Sequence, residues 1–155
     1  MVHAETSTGA QSDVEKLVKL AHAHDCLTIV DAVTSLGGTP VKVDEWKIDA
    51  IYSGSQKCLS CTPGLSPVSF NERALKKVRN RKSKVQSWFL DMQLVMGYWG
   101  GSSKRAYHHT APINMLYGLH EALRLVLEEG LDARFERHRR HSEMFCAGLA
   151  PPACH

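Results

Sequence analysis

The 155 residues are 43% hydrophobic and 23% charged, a balance that suits one folded domain and excludes a disordered chain. A formal charge of +3 is too small to direct the molecule to nucleic acid without a focused patch. Five cysteines at irregular spacing argue for free thiols in a reducing intracellular compartment, with cytoplasm, peroxisome and mitochondrion left undistinguished.

In chain order, residues 1–6 read as a strand end running into a loop. Ser12-Asp13-Val14-Glu15 has the form of a capping box, with the Ser12 hydroxyl and Glu15 carboxylate closing the first turn of a helix. Val14, Leu17, Val18 and Ala21 give that helix one apolar face. Residues 26–30 form a short, nearly continuous apolar run that ends in Asp31 and suits a strand buried on both faces of a parallel sheet. A Gly-Gly-Thr-Pro loop at 37–40 leads to a second strand at 50–52, and residues 65–70 read as a third. Asn71 can cap the next helix, whose apolar face is Ala74, Leu75 and Val78. Residues 88–99 read as a buried or interfacial helix. Pro112 suits the first turn of another, which turns Met115, Leu116, Leu119, Leu123, Val126 and Leu127 inward and stops at Gly130. A basic helix covers 132–149, and 151–155 add no further element. Strands alternating with helices indicate an α/β sandwich.

In such folds ligands bind beyond the carboxyl ends of the strands. Asp31 closes one strand, and Lys57 lies five residues beyond Tyr52, at the end of another. Lys57 is flanked by Ser53-Gly54-Ser55-Gln56 and Cys58-Leu59, a setting that predicts partial burial and an amine suited to imine chemistry. Pyridoxal phosphate needs such an amine, a carboxylate on its ring nitrogen, and donors for its phosphate. Asp31 and Lys57 match the first two needs; Thr6, Ser7, Gln56, Tyr107 and Thr110 are candidate donors. On spacing alone, a single lysine such as Lys57 is far more often a solvated surface charge.

Four motifs in order add to that pattern: His3-Ala4-Glu5-Thr6-Ser7-Thr8-Gly9, Val30-Asp31-Ala32-Val33-Thr34-Ser35-Leu36-Gly37-Gly38, Tyr52-Ser53-Gly54-Ser55-Gln56-Lys57 and Tyr107-His108-His109-Thr110. Together they resemble the alanine–glyoxylate and serine–pyruvate aminotransferases, a branch of the class V, fold-type I pyridoxal-phosphate enzymes. The resemblance runs to about residue 139. It implies a three-layer α/β sandwich with a mostly parallel sheet, with residues 1–139 forming part of the cofactor-binding large domain. Residues 140–155 would begin the linker to a small C-terminal domain.

By the same resemblance Lys57 matches the Schiff-base lysine and proton carrier. Asp31 matches the partner of the ring nitrogen, Val33 the side chain packed on the ring face, and Thr6 a hydroxyl near the phenolic oxygen. Gln56 matches a phosphate ligand. Tyr107 and Thr110 match phosphate ligands that reach into the neighbouring subunit's site, so a homodimer is implied. The turn after Lys57 reads Cys58-Leu59-Ser60-Cys61-Thr62-Pro63-Gly64, where relatives often carry small residues and two prolines. The family's ring-stacking aromatic residue and glycine-rich phosphate loop would precede Met1, and its substrate-carboxylate arginine would follow this chain. The fragment alone is therefore expected to be inactive or nearly so.

Other signals are weaker. Cys58 and Cys61 lack a second pair to complete a zinc site, and the adjacent His108 and His109 are expected to diverge, so no metal is expected. The basic runs at 76–82 and 137–141 read as solvated helix faces, since no stacking aromatic is interleaved with the first. The expected activity is transfer of an amino group from alanine or serine to glyoxylate or pyruvate. Alternatives are another class V enzyme (serine–glyoxylate or hydroxykynurenine transaminase, or a cysteine desulfurase-like lyase) and a non-catalytic fragment that dimerises through 88–99. Cys146 and Cys154 are poor candidates for the mobile cysteine that the lyase would need.

Overall fold

The computed structural model describes residues 1–99 and 106–149, so the tail at 151–155, Cys154 included, lies outside the described residues. The first three residues are already part of a sheet. The Met1 amino group donates to the Ile29 carbonyl at 2.8 Å, and Val2 bridges Asp31 in parallel. Strands β1 (Ala4–Glu5) and β2 (Ala10–Gln11) then form a short antiparallel hairpin. Gly9, with φ of 69°, supplies the left-handed residue of its turn.

Helix α1 (Val14–Ala23) is capped by Asp13, whose side chain accepts the Lys16 amide at 3.1 Å. The expected cap at Ser12 is therefore one residue early. Asp13 places a full negative charge at the helix N-terminus, where the backbone dipole favours it. Glu15 does not close a capping box but pairs with Lys19 at 2.6 Å. Val14 and Val18 are buried, whereas Leu17 lies at the edge of the stripe and is 40% exposed.

Strands β3 (Ile29–Asp31), β4 (Ala50–Tyr52) and β5 (Val68–Phe70) form one sheet in the order β3-β4-β5. β3 and β4 are parallel, whereas β5 runs antiparallel at the edge. Side chains alternate across a pleat, so Val30 and Ile51 pack with Val14, Val18, Ala32 and Ile48. Each buried valine or isoleucine of this set contributes about 2 kcal/mol of transfer free energy. The opposite face carries Ile29, which is 62% exposed, and Tyr52. The expectation of strands buried on both faces is thus corrected: on this second face Ala50 is buried, but Ile29 and Tyr52 beside it are exposed. β3 also begins later than expected, and the Thr28 amide is taken by the Asp49 carboxylate at 2.8 Å.

Helix α2 (Glu72–Arg79) starts where Asn71 accepts the Ala74 amide at 2.9 Å, as expected. Helix α3 (Met92–Trp99) is shorter than the expected 88–99. Trp88 and Phe89 precede it in a turn and lie against His108, with ring centroids 4.2 Å and 6.4 Å away. Helix α4 (Ile113–Glu129) follows Pro112 and ends at Gly130, whose φ of 82° breaks the helix. Its buried residues are Ala122 and Val126. Leu116, Leu123 and Leu127, expected to face inward, are exposed because the buried stripe is narrower than the apolar one. Helix α5 (Leu131–Leu149) turns back beside α4 and runs unbroken through 139 and 140. No helix among the described residues is long and apolar enough to cross a membrane.

Candidate active site at the carboxyl ends of the parallel strands

The parallel register pairs Asp31 with Tyr52 across β3 and β4, so both strands deliver their following loops to the same edge of the sheet. Asp31 is half-buried and fully oriented. Its Oδ1 accepts the Val33 amide at 2.9 Å, and its Oδ2 accepts the Tyr52 hydroxyl at 2.7 Å. That hydrogen bond to a carboxylate raises the Tyr52 pKa above its ordinary value. The Thr34 hydroxyl, in the loop after β3, donates to the Ala4 carbonyl at 2.6 Å and fastens the hairpin that carries Thr6.

The loop after β4 is anchored on both sides of Lys57. The Ser53 hydroxyl donates to the Ala32 carbonyl at 3.0 Å, and the Ser55 hydroxyl to the Thr62 carbonyl at 2.6 Å. Ser55 and Leu59 are buried, which leaves Lys57 on the outer side of the loop. Lys57 is exposed, a correction to the partial burial expected from its flanking residues. The buried volume there is taken by its neighbours, and the lysine opens onto a cavity of about 310 Å³.

Thr6, Thr34 and Ser60 bring hydroxyls to that cavity, and Arg137 and His138 bring cationic or protonatable nitrogen. Among the described residues no carboxylate lines it. Burial lowers the His138 pKa, assisted by Arg137 and Arg134, and its Nε2 is buried without a partner. Burial likewise pushes the Cys58 thiol up, against the opposing pull of Arg134, Arg137 and Lys57. The thiol donates to the Thr34 carbonyl at 3.3 Å, so the two strand-end loops touch. A wall of cations and hydroxyls beside a free primary amine suits a small anionic ligand with a reactive carbonyl.

The residues singled out in the sequence divide into three groups. Thr6 and Lys57 share the cavity, with Gln56 exposed beside Lys57. Asp31 and Val33 stand at the end of the neighbouring strand. Tyr107 and Thr110 do not line the cavity; they are exposed and meet each other, with 2.5 Å between the hydroxyl oxygens. The Ser7 hydroxyl is engaged locally, donating to Glu5 at 2.7 Å. His108 and His109 do not diverge: their Nδ1 atoms lie 2.7 Å apart, because both rings fold onto the Trp88–Phe89 turn. Sequence reasoning missed Tyr52 as the partner of Asp31, although its place in a paired strand was visible. It also missed Arg134, which lies three residues before the 137–141 run that reads as surface charge.

The aminotransferase class-V family matches residues 1–151. The (S)-ureidoglycine–glyoxylate transaminase of Bacillus subtilis is 42% identical over 96% of this chain and 40% of its own length. The alanine–glyoxylate aminotransferase of Oryctolagus cuniculus is 43% identical over 90% of this chain and 36% of its own. The crystal structure of alanine–glyoxylate aminotransferase from Nostoc sp. superposes with a TM-score of 0.87 at 50% identity, covering 92% of this chain and 37% of that one. This chain therefore spans about two fifths of the length of the relatives it matches.

Proposed function

This chain belongs to the class-V aminotransferase family and has the fold of its fold-type I members, and from that premise we propose that it forms the central part of a transaminase cofactor site. Residues 1–139 belong in this reading to the large domain, and 140–155 lead towards a second one. The observation that carries it is the parallel β3–β4 register, which sends Asp31 and the Lys57 loop to one edge of the sheet.

The donor set fits pyridoxal 5'-phosphate: an exposed amine, a carboxylate oriented by two donors, and hydroxyls in a cation-rich cavity. When bound, that cofactor supplies an aldehyde and an electron-accepting ring. Lys57 Nζ would hold the aldehyde carbon until an amino donor displaces it, then take the proton from the donor's Cα. Asp31 would keep a proton on the ring nitrogen, its carboxylate held in place by Val33 and Tyr52. Val33 would pack on the ring, Thr6 would donate near the phenolic oxygen, and Gln56 would bind phosphate. Tyr107 and Thr110, exposed and already paired with each other, suit phosphate ligands offered across a homodimer interface. Alanine or serine would be the amino donor and glyoxylate or pyruvate the acceptor. The free thiols of Cys26, Cys58, Cys61 and Cys146 suit a reducing intracellular compartment.

The test is borohydride reduction of the cofactor-loaded protein followed by peptide mapping. The phosphopyridoxyl mass is expected on Lys57, and Lys57→Ala should lose both that mass and the visible absorbance. The mass on any other lysine overturns the assignment.

A further inference from the structure

The basic helix α5 carries one arginine that is not on the surface. Arg134 is 6% exposed, while Arg139 five residues on is solvated and paired with Glu136 at 2.6 Å. The Arg134 guanidinium reaches both loops at the carboxyl edge of the sheet. Its Nε donates to the Gly37 carbonyl at 3.0 Å, in the loop after β3. Its Nη2 donates to the Cys58 carbonyl and, at 3.1 Å, to the Ser60 hydroxyl, both in the loop after β4. Its Nη1 is charge-compensated by Glu129 at 2.7 Å.

Cys58 is the residue after Lys57, so the carbonyl held by Nη2 lies one residue beyond the lysine's own peptide unit. The Glu129 carboxyl that balances the arginine is held at about 2, by its hydrogen bond from Arg137 above all and by that from Arg134 as well. It therefore stays ionised throughout the neutral range. A buried cation donating to two backbone carbonyls satisfies acceptors that those loops would otherwise bury unpaired. A planar fork can do this and an ammonium cannot, because only the fork presents donors in fixed directions to two loops at once.

We propose that Arg134 is a positioning residue for Lys57, clamping the loops after β3 and β4 together so that the lysine-bearing peptide is fixed before any ligand arrives. The proposal rests on the reading of Lys57 as the cofactor lysine, but the clamp can be tested without it. Cys58 is half-buried with its thiol on Thr34, whereas Cys26 and Cys146 are exposed, so one chain carries both a reporter of the loop and its controls.

The experiment measures thiol labelling at each cysteine by mass spectrometry in the unliganded protein, in Arg134→Gln and in Arg134→Lys. Arg134→Lys keeps the charge beside Glu129 and guards against an unfolded Gln variant. In both, labelling at Cys58 should rise about tenfold, while Cys26 and Cys146 keep their rates. The pH midpoint of the visible band in the cofactor-loaded variants should also move from the parent value. Cys58 labelled at the parent rate in a folded Arg134→Lys protein overturns the clamp, as does a rise shared equally with Cys26 and Cys146. If Cys58 opens but the parent protein never places cofactor on Lys57, the functional reading fails and the clamp stands.

Discussion

The Tyr52 hydroxyl donates to Asp31 Oδ2 across 2.7 Å, between two residues that sit opposite each other on parallel strands. The Val33 amide holds the other oxygen at 2.9 Å, so the carboxylate plane is fixed before a ring nitrogen approaches it. Tyr52→Phe removes one of these two restraints and leaves the strand's packing intact. The bond is partly solvated, so its loss should weaken cofactor affinity only a few-fold. Fluorescence titration with pyridoxal phosphate reads this directly. Unchanged affinity would mean that the tyrosine does not prepare the carboxylate for its ligand.

Asp49 gives the fold a dependence on acid. It is buried, and burial alone would push its carboxyl up. Hydrogen bonds from Asn71, His22 and Thr28 outweigh that and hold it at about 2, with Arg73 also within 3.2 Å. A depressed carboxyl contributes stability above its unfolded pKa near 3.8 and loses it as the pH falls through the folded value. The contribution is about 2 kcal/mol and should vanish between about pH 4 and pH 2. Urea melts across that window should show the loss. Asp49→Asn should flatten this slope and, at neutral pH, cost about 3 kcal/mol by taking the anion from His22 and leaving Arg73 only its exposed pair with Asp25. A parent-like acid slope in that variant would place the dependence elsewhere.

What the sequence disclosed follows the range of the interactions. Asn71 as a cap and Gly130 as a stop were legible because each acts on backbone within a few residues. Asp31 and Lys57 were legible as strand ends with unusual chemistry. Asp49 was not, since its partners come from positions 22, 28, 71 and 73 and only folding assembles them. Arg134 was hidden in the same way, its acceptor at Gly37 lying 97 residues away. Leu127 shows the opposite error: its spacing is that of a buried stripe, yet it is 76% exposed because no described element covers it.

Gly38 tests how closely the two strand-end loops are fitted. A Cβ there would lie 2.6 Å from Cys58 Sγ and 3.3 Å from Cys58 Cβ, the first well inside contact distance. Gly38→Ala therefore forces the thiol out of its place and off the Thr34 carbonyl, or pushes the Lys57 loop outward. Either route should destabilise the fold by about 1–3 kcal/mol, the usual cost of overpacking. Cys58→Ala removes the sulfur and should by itself cost less than about 1.5 kcal/mol, since the thiol donates only one weak bond. In the double variant the clash with the sulfur is gone, so the two costs should fail to add by about 1 kcal/mol. Denaturant melts of the four proteins measure that coupling. Strict additivity would show that the glycine is not held small by Cys58 and that the loops meet less tightly than their contacts indicate.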